Sequence, residues 1–269
     1  MKEKSAIYLY CIRGKTDSKL LTKGIDGGTV FTLPYQNLEA VVSEVSVREY
    51  DSEEIQQKAQ NDLNWIKEKA LIHEAVIEAA MQCDGKIIAV IPMCFGTIFT
   101  SRASIQQTIE KNYSKFERTL TDLQGKQEWG VKIYLADSQA LEDKVKNGNE
   151  VIKAKAKELV SMSKGAAYFF EKQIRDLVDS EVNNAIGTYM DAIFLDLEHQ
   201  SETGLKGKIL EKELTGKSEP MVLNAFYLIQ EGRIENFKSE IKRLSAEMGS
   251  QGFRLEYSGP WPPYNFTRL

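Results

Sequence analysis

The sequence predicts an α+β protein built of two domains, and three observations carry that prediction. Short apolar runs rich in β-branched and aromatic residues are punctuated by Gly and Pro. Between them lie segments whose apolar residues recur at helical spacing. From Val131 onward the elements follow in the order strand, helix, strand, strand, helix, strand. That is the βαββαβ order of a ferredoxin-like sandwich, here with an extra short helix inserted after the first strand. A chain of 269 residues has the length of one large domain or two ordinary ones. The boundary falls near Gly125–Trp129, giving an N-terminal α+β domain over 1–126 and a C-terminal domain over 127–269.

Each element has its own signal. "SAIYLYCI", "GTVFTL" and "LEAVVSEV" read as strands, separated by Gly27-Gly28 and Pro34. From Ser52 the period changes: Ile55, Ala59, Leu63, Ile66, Ala70, Val76, Ile77 and Ala80 mark one helical stripe. Ser52 is the expected N-cap, with Glu53 and Glu54 in the first turn. "KIIAVIP" reads as a short buried strand stopped by Pro92, and Ser101 or Ser104 as the cap of a helix that Gly125 follows. "EWGVKIYLAD" opens the second domain, with a helix from Asp137 to about Lys146 and a turn at Asn147–Asn149. After Gly165, residues Phe170, Ile174, Leu177, Val178, Val182, Ile186, Tyr189, Ile193 and Leu197 line one side of a long helix. "GLKGKILEKEL" and "EPMVLNAFYLI" pair as a hairpin around Thr215–Ser218. Ile234, Phe237, Ile241, Leu244 and Met248 mark a helix with one buried seam, and "GFRLEYSG" is the last strand.

Bulk composition narrows the function. A formal charge of −4, with Lys and Arg interleaved among Asp and Glu, argues against a nucleic-acid-binding face. Cys11, Cys83 and Cys94 form no CxxC pair, which speaks against a zinc knuckle and a disulfide framework. The apolar run of the N-terminus is too short for a signal peptide, and no stretch approaches the roughly 20 apolar residues of a membrane span. The expectation is a reduced, cytosolic protein.

The sequence offers few candidates for chemistry. "GKT" at Gly14–Thr16 and "GKS" at Gly216–Ser218 lack the glycine a phosphate loop needs five positions earlier, where Leu9 and Glu211 stand. "HEAVI" begins like a zinc-protease helix, but the second ligand position is Ile77. His73 therefore reads as the polar edge of an amphipathic helix. Cys94, among Pro92, Met93 and Phe95, reads as a buried thiol behaving as a small hydrophobe. No residue earns a catalytic, cofactor-binding or metal-ligating role, and no cofactor is expected.

Several blocks together resemble one family. "GFRLEYSGPWPPYNF" is similar to the C-terminal signature of the gas vesicle protein F/L family (GvpF/GvpL). "AIYLYCIRG" resembles its opening strand, "LEAVVSEV" its third, and "VIPMCFGTIF" its central segment. "LQGKQEWGVKIY", "GAAYFFEKQ" and "MVLNAFYLI" resemble the domain junction, the start of the long helix and the penultimate strand. These blocks follow the family's order over nearly the whole chain, and they do not separate F from L. Cys94 is a departure, standing where the family commonly has Arg. The resemblance implies a non-enzymatic accessory protein of gas vesicle assembly, cytosolic or vesicle-associated. It implies as partners the apolar major shell protein and other accessory proteins, with neither nucleic acid nor membrane. A small-ligand regulatory module of ferredoxin-like type is the alternative, because fold does not fix function.

The final "PWPPYNF" admits two readings. As a strap it leaves the last strand and buries Trp261 and Phe266, its prolines lowering the entropy lost on ordering. As a displayed ligand, Pro260–Pro263 has the PxxP spacing that partner grooves capture.

Overall fold

The computed structural model describes residues 5–46 and 62–267. The helix expected from Ser52, with its cap and acidic first turn, lies outside the described residues as far as position 61. Two compact units emerge: Met1–Glu128 with Pro260–Leu269, and Trp129–Gly259. The sequence expectation kept everything after 127 together, whereas the residues from Pro260 onward group with the first unit.

The first unit is built on β1 (Ser5–Gly14), β2 (Val30–Tyr35), β3 (Leu38–Ser46), β6 (Val90–Pro92) and β7 (Ile98–Phe99). Their order is β2-β3-β1-β6, with β7 also pairing β1. Helices α1 (Leu63–Met81) and α2 (Arg102–Leu123) cover opposite faces. A strand buried on both faces has no polar alternation, which is why "AIYLYCI" is apolar throughout. Against β3, Leu9 faces Val42 while Cys11 faces Val41, so Tyr10 is the extra residue of a β-bulge. The bulge resets the alternation. Tyr8, Tyr10 and Cys11 all join the core under α1, Ile7, Leu9 and Ile12 join the core under α2, and Arg13 is delivered to the α1 side.

Asp62 caps α1 by accepting from the Trp65 amide at 2.9 Å, and Ser101 caps α2 from the Ser104 amide at 3.2 Å. The expected strand "KIIAVIP" is divided into β5 (Lys86–Ile87), which forms a small hairpin with β4 (Gln82–Cys83), and β6 on the main sheet. Between them the Ile88 amide bonds the Met81 carbonyl at 2.8 Å and so leaves the ladder.

In the second unit a four-stranded sheet runs β11 (Phe253–Trp261), β8 (Lys126–Leu135), β10 (Met221–Gln230), β9 (Thr203–Lys206). Trp129, Val131 and Ile133 of β8 and Leu223, Ala225, Tyr227 and Ile229 of β10 point to one face. There they meet α5 (Lys164–His199) through Met190, Ile193 and Leu197, and α7 (Ile234–Gly249) through Phe237, Ile241, Leu244 and Met248. Gly252, at φ 88, closes the turn into β11 and accepts from the Ala136 and Asp137 amides at 2.8 and 2.9 Å. A Cβ there would stand 2.3 Å from the Asp137 carbonyl oxygen, so only glycine fits.

Two expectations are corrected in this unit. The turn at Asn147–Asn149 is a junction between α3 (Ser138–Gly148) and an unforeseen helix, α4 (Glu150–Leu159). Asn149 makes it possible: its side chain accepts from the Val151 and Ile152 amides at 3.0 and 3.2 Å. The hairpin keeps its partners, Lys206 facing Ala225 and Thr203 facing Leu228, but β9 is only four residues long. Beyond Gly207 the Asn224 side-chain amide takes the Lys208 carbonyl at 2.9 Å, and the chain turns into the one-turn helix α6 (Lys212–Thr215).

Candidate functional site

Three features stand out: a polar network inside the first unit's core, the docked tail, and the α4–α5 surface of the second unit. The network begins at Tyr8. Its hydroxyl accepts from the Gly96 amide at 2.8 Å and lies 3.1 Å from His73 Nδ1. His73 Nε2 lies 3.1 Å from the Met93 carbonyl, which can only accept, so Nε2 carries the proton. Nδ1 is then the acceptor and Tyr8 the donor. Burial pushes the imidazole down to about 4, partly offset by the Met93 bond, which keeps the ring neutral. His73 is therefore not a helix edge but a buried core residue at 3% exposure. Both nitrogens are engaged, and the position four residues on is the core residue Ile77.

Beside it, the Tyr10 hydroxyl bonds Ser43 Oγ at 2.8 Å and accepts from the Ile25 amide at 2.8 Å. Arg13, fully buried, donates from Nε to Glu39 at 2.8 Å and from Nη1 to the Ala80 carbonyl at 2.8 Å. Its Nη2 is also 2.8 Å from Glu39 but misaligned for a hydrogen bond, so that contact is ionic only. The Tyr8–His73 and Arg13–Ala80 bonds tie α1 to the sheet.

The tail is anchored by polar bonds and by the Tyr264 ring. Pro262 and Pro263 are buried, and Tyr264–Phe266 turn back on them through amide bonds to their carbonyls of 2.7 and 3.1 Å. Tyr264 packs on the core under α1 and donates to Glu74 of that helix at 2.8 Å. Asn265 grips Glu128 twice, from its backbone amide at 3.0 Å and its side-chain amide at 2.6 Å. Burial raises the Glu128 carboxyl to about 7; the Asn265 bonds pull it down and the nearby Glu74 charge pushes it up. Glu74 is likewise raised by burial, and its Oε1 is buried without a hydrogen-bond partner among the described residues.

So the strap is present with different anchors than expected. Trp261 ends β11 at 36% exposure and Phe266 is half-buried. With Pro262 and Pro263 buried, the PxxP spacing is not displayed. Cys94 is also corrected: it is exposed, because Pro92 ends β6 and the chain turns outward there, Thr97 bonding the Cys94 carbonyl through its amide and hydroxyl at 3.2 and 2.7 Å. Cys11 is the buried thiol, and burial pushes it up to about 12. Gly14 closes β1 and Gly216, at φ 65, caps α6, so both lysine-glycine motifs sit at element ends. No group of three or more His, Cys, Asp or Glu is placed to hold a metal ion among the described residues.

In the second unit, shallow cavities follow α5. One of about 410 Å³ lies against α3, where Lys144 bonds Tyr189 and Gln251 at 2.8 and 2.9 Å. Another, of about 330 Å³, lies against α4 with Ile152, Ala156 and Ile174 as its apolar lining. Nearby Val160, Tyr168 and Phe169 are exposed at 87%, 68% and 70%. Sequence reasoning passed over this region, although "KAKAK" beside "GAAYFF" was a visible signal: charge and aromatic surface together in one short stretch.

A family model described as "Gas vesicle synthesis protein GvpL/GvpF" matches residues 6–268. A gas vesicle protein L from a Streptomyces species is 26% identical, over 97% of this chain and 92% of that protein. Gas vesicle protein F of Haloferax mediterranei is 24% identical, over 98% and 93%. The crystal structure of gas vesicle protein GvpF from an Anabaena species superposes with a TM-score of 0.72 at 17% identity, covering 98% of this chain and 97% of that one. That last similarity bears on the fold alone.

Proposed function

The chain belongs to the gas vesicle synthesis protein GvpL/GvpF family and takes part in gas vesicle assembly, and we propose that it does so without catalysis, by binding the apolar major shell protein and other accessory proteins. The observation that carries this reading is the family match across residues 6–268. A shell protein destined for a gas-tight wall exposes large apolar surfaces before incorporation, and such surfaces aggregate unless covered. A partner offering a sheet edge or an apolar groove covers them reversibly.

Two further readings belong to the same proposal. The units act as an N-terminal α+β domain and a C-terminal ferredoxin-like domain, supported by the β11-β8-β10-β9 order with α5 and α7 on one face. The protein works in the cytosol or on the vesicle; no described helix is long and apolar enough to cross a membrane.

Co-expression with the shell protein tests the reading. The expected result is co-purification and a soluble shell subunit. Binding to accessory proteins alone would make this chain a scaffold component and would remove the chaperone-like role.

A further inference from the structure

The α4–α5 groove is apolar inside and basic at its edge. Ile152, Ala156 and Ile174 form its lining, and Lys146, Lys153 and Lys157 border the same cavity of about 330 Å³. Helix α4 carries one further lysine, Lys155, over the Phe170 ring at 5.0 Å, and Glu150 and Glu158 toward its ends. The rim of this cavity is thus lysine-rich in a chain whose formal charge is −4. Lys153 pairs with Glu150 at 2.8 Å and Lys146 with Glu142, but these are neighbours on their own helices and partly exposed. Such pairs hold weakly and exchange for a better-placed carboxylate. Val160, Tyr168 and Phe169 are further exposed apolar side chains on α5 and the segment joining it to α4.

We propose that this groove docks an amphipathic helix of a partner gas vesicle protein, one whose apolar stripe is bordered by carboxylates. The inference rests on the reading that the chain acts by binding such proteins, and it adds the surface and the partner's chemistry. A groove between two helices accepts the i, i+3, i+4 row of a third helix, with side chains entering the cavity and flanking charges meeting the rim. A strand would find no ladder here, because the backbone groups of α4 and α5 are spent within their helices. A membrane surface needs a flat or convex apolar face, and this one is concave.

The test is capture by the tagged full chain, co-expressed with the shell protein and the other gas vesicle accessory proteins. Two variants are compared with the unmodified chain: Lys153→Glu with Lys157→Glu, which reverses the rim, and Ala156→Gln, which fills the lining without charge. Circular dichroism and thermal unfolding should be unchanged, since Ala156 and Lys157 are exposed and Lys153 is half-exposed. Capture of an identified gas vesicle protein should fall about tenfold or more in the charge-reversed chain. Lysine substitutions along one helix of the captured protein should restore it. Equal capture by all three chains would overturn the groove while leaving the assembly reading intact. No capture even by the unmodified chain would overturn that reading and the inference with it. If charge reversal instead removes binding to phosphatidylglycerol vesicles and leaves capture untouched, the surface is a lipid contact and the proposal is wrong.

Discussion

The segments Trp261–Phe266 and Tyr168–Phe170 carry the same kind of side chain, and the protein treats them in opposite ways. In the tail, Tyr264 and Asn265 find carboxylates on α1 and β8, and two prolines are buried beside them. At the start of α5, Tyr168 and Phe169 touch each other at 5.7 Å and Phe170 lies under Lys155 at 5.0 Å, while Tyr168 and Phe169 remain mostly in solvent. Aromatic content alone therefore does not decide burial. What decides it is whether the backbone and polar atoms travelling with the ring can be satisfied inside. The tail's polar atoms meet carboxylates of α1 and β8, whereas the amides of Tyr168–Phe170 are already bonded within α5 and gain nothing polar by moving.

The contrast can be broken or sharpened by substitution. The largest effect is expected at Tyr264→Ala, which removes core packing and strips Glu74 of its donor. A loss of about 3 kcal/mol in urea unfolding is the expected size. A loss no greater than that of Trp261→Ala would return the anchor to the tryptophan. Asn265→Ala should cost about 1–3 kcal/mol, because the buried Glu128 loses the side-chain amide bond and keeps only the one from the backbone amide of residue 265.

Protonation gives the next contrast. Glu128 is raised from 4.5 to about 7 in the fold, so the native state holds the extra proton and stability falls as pH rises through that window. His73 is lowered from 6.5 to about 4, so the unfolded chain holds the extra proton and stability rises with pH through its window. Between about pH 4.5 and 6.5 the two oppose each other, and the intact protein should show little net slope from this pair. Glu128→Gln should expose a rising profile, and His73→Gln a falling one, each approaching at most about 1.4 kcal/mol per pH unit. Parallel profiles for both variants would show that neither group titrates as the geometry implies.

The smallest effects belong to the exposed side. Tyr168→Ser with Phe169→Ser should shift the unfolding midpoint by no more than about 0.5 kcal/mol while reducing partner capture. A large loss of stability would mean that these rings are packed after all. In the native protein Cys94 should react readily with a thiol reagent and Cys11 only after unfolding, and Cys94→Ser should leave assembly intact.

Much of this molecule was legible in advance. The strands β1 to β3, β8, β10 and β11 and the helices α2, α3, α5 and α7 follow from periodicity and caps, because those signals are local. Helix α4 was missed because its stripe is thin: Ile152 is its single buried residue, among lysines. The exposure of Cys94 was missed because apolar neighbours in sequence suggested a buried thiol, while Pro92 and the turn at Thr97 carry it outward. His73 was placed at a helix edge because nothing in the sequence says that Tyr8 and the Met93 carbonyl will meet it.

Sequence by itself determined the alternation of strands and helices, the family blocks, and the want of any phosphate or zinc motif, since each depends on spacing along the chain. Only the tertiary structure decided which aromatic segment is covered, where the Tyr10 bulge sends Arg13, and which carboxylates receive the tail. Those outcomes depend on polar groups from distant segments meeting in a place without water. An unsatisfied donor or acceptor costs most there, and no local pattern records the meeting.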